Sequence, residues 1–385
     1  MKSFEDSIIE CIQEVIGTGE HVLHRPILGT QEQESMARCI ESSYVSSIGP
    51  FVTEFEDGLC AFVNSTYAIA VSNGTSALHV ALLISGVQPG DEVLVPSLTF
   101  IATANAVSYC SAVPHFVDSC VDSLGLDPSS IRNWLEKIAD VRNGKCINKE
   151  TGSRISAIVP VHIFGHPSRI IELQQVADDF CLRLVEDAAE SLGSTFNGKH
   201  CGTFGSIGTL SFNGNKILTT GGGGAILTDD QEIAARAKHL TTTSKVPHQW
   251  EYDHDEVGFN YRMPNINASL GCAQLLKLPS FIVSKRKLAL AYSESFSGLE
   301  GGKIFIESQG CSSNYWLQTL ILEESHKHHR DKILERAFAE GLMCRPAWRP
   351  LHTLLPYEKS PRSPLPGASS LYERIVNIPS SAGLV

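Results

Sequence analysis

The chain has 385 residues, 42% of them hydrophobic, which is enough for a large core and, at about 150 residues per domain, two or three domains. A formal charge of −11 at pH 7 excludes the broad basic face that a nucleic-acid partner needs, but not a small anionic ligand held by a few local donors. The eleven cysteines are odd in number, scattered and without a C-x-x-C pair, so they fit reduced thiols of a cytoplasmic protein better than disulfides or a metal site.

At the start, Met1–Glu20 carries early acids and no basic stretch before an apolar one, so it does not read as a signal peptide. No run of about 18 apolar residues follows anywhere, and no membrane span is expected. From Tyr67 to Leu240 short apolar runs alternate with helical patterns. Ala68–Val71 reads as a buried strand, Asn73-Gly74 as a turn, and Thr75 as the opening of a helix with Ala77, Leu78, Ala81 and Leu82 at helical spacing. Gln88-Pro89-Gly90-Asp91 is a turn and Val93–Pro96 a strand, with Phe100 just past its end. A helix near Ile101–Tyr109 and strands at Pro114–Val117, Ala157–Val161 and Leu182–Glu186 continue the alternation. Strands joined by helical crossovers imply a mainly parallel sheet covered on both faces.

The texture changes at Gly205. Ile207–Phe212 and Ala225–Thr228 read as strands joined by a loop rather than a helix. Then come helices at Ile266–Leu276 and Phe281–Phe296, strands at Lys303–Glu307 and Tyr315–Leu322, and a helix at Asp331–Glu340. The stretch Pro356–Pro366, with four prolines, reads as an extended loop. The expected organisation is an N-terminal arm with helices (1–45), a large α/β domain (46–264) and a smaller α+β domain (265–385).

Three segments carry chemistry. In Val71-Ser-Asn-Gly-Thr-Ser a strand passes through a tight turn into a helix whose free N–H groups and dipole suit a phosphate; an ordinary strand-to-helix turn has the same letters. Leu184-Val-Glu-Asp-Ala-Ala-Glu closes a buried strand with acids, where open α/β sheets place their ligand crevice; a pair of solvated loop acids is the plain alternative. Ser211-Phe-Asn-Gly-Asn-Lys216 sets one lysine after an apolar strand and ahead of Gly221–Gly224, which suits an imine-forming amine beside a flat cofactor, or a hairpin lysine at the surface.

Their order matters more than any one of them. With Pro96-Ser-Leu-Thr-Phe-Ile-Ala-Thr-Ala-Asn-Ala and Gly258-Phe-Asn-Tyr-Arg-Met-Pro-Asn, they resemble the DegT-type sugar-nucleotide aminotransferases, a fold-type I family dependent on pyridoxal 5'-phosphate (PLP), from about Leu28 to the C-terminus. The resemblance implies that Lys216 forms the imine with PLP and shuttles a proton, and that Asp187 pairs with the pyridine nitrogen. It implies Phe100 and Ala189 on the two ring faces, and Gly74, Thr75 and Ser211 at the phosphate. Asn260 is implied to reach the phosphate of a partner subunit, which makes a homodimer with shared sites. Glu190 stands where the family usually has glutamine, near the ring hydroxyl. Together with Asn213 in place of the common histidine, it resembles the subgroup acting on UDP-linked 4-keto-6-deoxy N-acetylhexosamines, as in bacillosamine and legionaminic acid routes to surface glycans and nonulosonic acids.

The implied reaction moves an amino group from L-glutamate to the keto sugar. Its diphosphate calls for cations near the cleft. Lys245, Arg345, Arg349 and Arg262 are candidates, with Ser47 for the sugar and Thr241–His254 as a covering loop. Two other readings keep PLP: a sugar dehydratase, although the related dehydratases replace the lysine by histidine, and a non-catalytic regulatory protein.

Overall fold

The computed structural model describes residues 2–385. Its centre is a sheet whose main path runs Tyr67–Val71, Gly224–Thr228, Ile207–Ser211, Arg183–Asp187, Arg154–Ile158, Glu92–Pro96 and Val113–Val117. Only Gly224–Thr228 runs against the others along this path. A hairpin, Ala139–Arg142 with Lys145–Asn148, adds antiparallel strands beside Arg154–Ile158. The expected mainly parallel sheet is therefore present.

Both faces are covered. Helices Pro128–Ile138 and Ile170–Asp179 bury Ile131, Leu135, Leu173 and Val176 against Leu94, Ile158 and Leu184. On the other face Gly74–Ile84 and Ala102–Tyr109 pack into the main core with Val95, Val185 and Leu210. The helix starts follow local chemistry: Asp127 accepts from Ser129 N ahead of Pro128, and Asp230 from Glu232 and Ile233 N.

A second, four-stranded antiparallel sheet orders Gly302–Ile304, Gln318–Leu322, Ile375–Ile378 and Arg345–Pro346. Its core holds Leu320, Leu322, Val376 and Ile378 with Ile333 of helix Arg330–Ala339. The N-terminal helix Phe4–Ile16 enters this same core through Ile8, Ile9 and Ile12, meeting Leu288 and Tyr292.

Sequence pattern and structure part at several places. The two helices read on either side of Pro279 are one helix, Asn265–Ser295. Proline removes one ladder bond and crowds the preceding turn, at about 3 kcal/mol. Here Pro279 lies on the exposed face while Ala268, Leu278, Phe281 and Leu288 are buried on the other, and their packing carries the helix through. Asn265–Gly298 is also the one span among the described residues apolar and long enough to cross a membrane, and it spends that surface packing against helices Thr30–Glu41 and Pro50–Val63. The strand expected from Tyr315 starts only at Gln318, because Tyr315 takes a left-handed backbone (φ 47°). The proline stretch after Pro356 opens on a short 3-10 turn, and its last proline begins the helix Pro366–Arg374.

Between the two layers sits His166, fully buried, with no hydrogen-bond partner and the rings of Phe305 and Tyr315 at 4.7 and 5.1 Å. Burial pushes its imidazole down to about 3. A folded value below the unfolded one means that the unfolded chain binds the extra proton first. Stability is then complete above about pH 6.5 and falls as pH drops toward 3. We expect the wild type to lose about 2 kcal/mol more than His166→Phe between pH 7 and pH 5, read by denaturant unfolding at each pH; parallel curves would exclude it.

Candidate active site

The site lies where the C-terminal ends of the parallel strands meet the C-terminal layer. After Val71 the chain turns, and the Asn73 side chain accepts from Ser76 N at 2.8 Å, capping the helix Gly74–Ile84. The N–H groups of Gly74 and Thr75 belong to the first helical turn, where the ladder leaves them free. A Cβ on Gly74 would stand 2.8 Å from Ser211 Cβ and 3.2 Å from its Oγ. Only glycine lets the helix start lie against the end of the strand Ile207–Ser211. Gly74→Ala is expected to cost about 1–3 kcal/mol of stability and to weaken binding of a phosphate ligand. Unfolding curves with and without pyridoxamine phosphate check this, and unchanged binding would argue against a phosphate seat here.

The two acids of Glu186-Asp187 take opposite roles. Glu186 is fully buried away from the cavity, accepting from the backbone N–H groups of Gly202 (2.8 Å), Phe204 (2.6 Å) and Gly205 (2.8 Å). The His162 ring faces it at 3.1 Å. Ser168 N–H donates into His162 Nδ1 at 3.0 Å, so the ring proton is on Nε2 and points to Glu186. Asp187 faces the cavity, with Oδ2 accepting from Thr103 Oγ1 at 2.9 Å and Oδ1 from Ala189 N at 3.2 Å. Burial raises the Asp187 carboxyl above its ordinary range, against the Thr103 and Ala189 hydrogen bonds and the Lys216 charge.

Glu190 completes the acidic wall. Its Oε2 accepts from Phe164 N at 2.7 Å and its Oε1 stands 3.4 Å from Lys216 Nζ. Burial raises this carboxyl too, with the Lys216 charge opposing. Phe164 holds a left-handed backbone (φ 55°), costly for a bulky residue, and is fixed by that amide bond and by stacking on Trp348 at 5.0 Å.

Lys216 projects from the loop between the strands Ile207–Ser211 and Gly224–Thr228. Its Nζ lies 3.9 Å from the centre of the Trp316 ring, and Trp316 Nε1 donates to Asn215 O at 2.7 Å. Phe100 stands at the mouth, 52% exposed and 6.3 Å from Trp348. The cavity is about 340 Å³. Gly74, Thr75, Phe100, Asp187, Ala189, Glu190, Ser211 and Lys216, eight residues expected at the cofactor, all line it.

Six other expected residues, Asn260, Ser47, Lys245, Arg262, Arg345 and Arg349, do not. Asn260 is exposed and pairs with Thr242 in an isolated bridge. Lys245 lies beside Lys238, His248 and Arg262 at a separate, open cavity, its amine 3.6 Å from the Tyr252 ring centre. Ser47 is half-buried before helix Pro50–Val63, and Arg345 is exposed, donating to Cys344 O. Arg349 is likewise exposed, bonded to Thr353. Thr103, Phe164, Trp316 and Trp348 belong to the site although the sequence reading gave none of them a role, even where, as with Thr103, the residue lay inside a family motif. For Thr103 a signal existed: it lies one helical turn after Phe100. Elsewhere, His239, Asp255 and Glu256 bring possible metal-ligand atoms together, but Arg236 forks onto Glu256 and His239 bonds Asp255, an ion-pair cluster.

The donor set fits a flat anionic pyridine. A helix start would meet the phosphate, a buried carboxylate the ring nitrogen, a small and an aromatic side chain the two faces, and an amine the aldehyde. When bound, PLP supplies the electron sink that makes the substrate's α-proton removable. The chain's own residues do the rest. Asp187 would hold a proton on the ring nitrogen, Lys216 would carry one to and from the reacting carbon, and Glu190 would face the ring hydroxyl.

Fold and site together define a fold-type I, PLP-dependent aminotransferase. More particularly, the chain belongs to the DegT/DnrJ/EryC1/StrS aminotransferase family, whose model matches residues 26–385. It is 37% identical over 369 residues to a GDP-perosamine synthase of Escherichia coli O157:H7, covering 94% of this chain and 93% of that one. A dTDP-4-dehydro-2,3,6-trideoxy-D-glucose 4-aminotransferase of Saccharopolyspora spinosa is 28% identical over 93% of this chain and 91% of its own. A solved DegT DnrJ EryC1 StrS aminotransferase from Brucella abortus superposes with a TM-score of 0.84 at 29% identity, over 92% of this chain and 91% of that one. The protein is a sugar-nucleotide aminotransferase.

Proposed function

We propose that this enzyme converts a nucleoside-diphosphate-linked 4-keto-6-deoxy sugar to the 4-amino sugar, with L-glutamate as amino donor. The observation that carries this reading is the Lys216 amine held beside Glu190, in one cavity with Asp187 and the Gly74-Thr75 helix start. Amination at C4 is supported by the name of the Saccharopolyspora relative. The finer reading is a UDP-linked N-acetyl sugar, for which Glu190 and Asn213 speak, in a cytoplasmic route to surface glycan or nonulosonic acid. A second reading, a GDP-linked sugar, is favoured by relatives named GDP-perosamine synthase at 37% and 35% identity.

The protein acts as a homodimer in this proposal. Tyr44, Val45, Ile48, Trp250, Tyr252 and Val257 are exposed apolar side chains flanking Ser47, Lys245 and Asn260. An apolar surface of this kind asks to be covered. A second copy would bring Asn260 to its neighbour's phosphate, and Lys245 and Arg262 to the diphosphate, with Arg345 and Ser47 nearer the sugar.

The test loads the enzyme as pyridoxamine phosphate and offers UDP-, GDP- and dTDP-linked 4-keto sugars in turn. Return of the lysine-linked absorption band reports amination. Response to a UDP N-acetyl sugar alone supports the finer reading, response to the GDP sugar alone replaces it, and response to none refutes the proposal. Sedimentation with Val257→Asp and Tyr252→Asp, expected to give monomers, checks the dimer.

A further inference from the structure

The loop that carries Lys216 does not by itself fix the lysine's reactive end. It holds Gly214 and Gly221 to Gly223, and its one bond at the lysine is from Lys216 N to Asn213 O at 2.9 Å. Two contacts fix the amine: Glu190 Oε1 at 3.4 Å and the face of Trp316 at 3.9 Å. Trp316 is tethered in turn at every polar atom it has. Its N–H donates to Asn314 Oδ1 at 2.7 Å, its indole N–H to Asn215 O at 2.7 Å, and its carbonyl accepts from Lys285 Nζ at 3.0 Å.

These tethers converge on the groups around Lys216. Asn314 also donates to the carbonyls of Glu190 and Leu192, each at 2.9 Å, so one amide sets Trp316 and the Glu190 loop together. Lys285 is wholly buried without a carboxylate and joins the Trp316 carbonyl to that of Ser380. Burial pushes the Lys285 amine well toward its neutral form, and as a donor it ties the Trp316 carbonyl to the C-terminal segment at Ser380. The indole N–H bonds the carbonyl immediately before Lys216, so Trp316 grips the lysine at its root and at its tip.

We propose that Trp316 is the positioning residue for Lys216: its indole face is the berth to which the amine returns whenever it is not joined to the cofactor. This rests on the aminotransferase reading, in which the lysine is released and recaptured in each turnover. An aromatic face suits the task because it attracts an ammonium without a directional bond that must break before the amine can move. Glu190 supplies the directional contact, and Trp316 the distance from which the amine is recaptured.

The test separates capture of the cofactor by lysine from simple binding. Cofactor-free enzyme is mixed with PLP and growth of the lysine-linked absorption band is timed, while calorimetry measures affinity for pyridoxamine phosphate, which needs no lysine. Trp316→Leu is expected to slow capture about tenfold and leave pyridoxamine phosphate affinity within about twofold. Trp316→Phe, which keeps an aromatic face, is expected to recover most of the rate. Unchanged capture in Trp316→Leu overturns the inference, and so does loss of capture and binding by the same factor. Should Trp316→Leu not fold, wild-type chain carrying mono-, di- and trifluorotryptophan replaces it. Capture should then slow with each fluorine, and a constant rate overturns the inference. Wild type that takes up neither cofactor would refute the aminotransferase reading itself.

Discussion

Replacing Lys216 with alanine is expected to lower turnover by about four orders of magnitude or more and to erase the lysine-linked absorption band. The amine is the one nitrogen base of the cavity within reach of the reacting carbon, since its neighbours Asp187 and Glu190 are acids committed to backbone and hydroxyl donors. The side chain is 13% exposed and its one ion pair is the 3.4 Å contact with Glu190, so the fold does not depend on it. Lys216→Ala should therefore unfold close to the wild-type temperature and still bind pyridoxamine phosphate. Added methylamine, small enough for the space left, should restore a part of the activity. A variant that kept more than about 1% of turnover would place the base elsewhere.

Asp187→Asn is expected to cut kcat by about 100- to 1000-fold and, without cofactor, to stabilise the protein. Both effects have one cause. The carboxylate is 7% exposed, and burial raises its pKa above the unfolded value near 3.8. Its contribution to stability is present below that value and is lost as pH rises through the folded one, so at neutral pH the ionised form is a burden. Asparagine keeps a partner for Thr103 and Ala189 without the charge, and roughly 1 kcal/mol of added stability is expected for the cofactor-free chain. Bound cofactor is expected to reverse the sign, because the ring nitrogen's proton would then pair with the charge. Unfolding curves with and without PLP test this, and equal shifts in both states would separate Asp187 from the ring.

How much of this was legible in sequence depended on where each part sits along the chain. The phosphate turn, Asp187, Glu190 and Lys216 each lie at the end of a strand, inside a run of letters whose physics is local: a glycine at a tight turn, an acid closing an apolar run, a lysine before glycines. Trp316 and Trp348 enter from the C-terminal region over contacts that no local pattern encodes, and Asn314 is a polar residue whose importance lies wholly in its four bonds. Pro279 misled for a related reason. The rule that proline ends a helix is local, and the packing that overrides it involves helices more than 200 residues away in sequence. Asn260, Ser47, Lys245 and Arg345 lie outside the cavity within one chain, where a pattern of letters cannot say which copy a residue serves.

The helix Phe4–Ile16 that completes the C-terminal core sets a timetable for synthesis. Its apolar face is synthesised about 360 residues before the strand Ile375–Ile378 of the same core. At roughly 5–20 residues per second the wait is on the order of 20–70 s. During it Ile8, Ile9 and Ile12 have no native partner from the far end of the chain. The native place of this helix therefore exists only once the far end of the chain has been made.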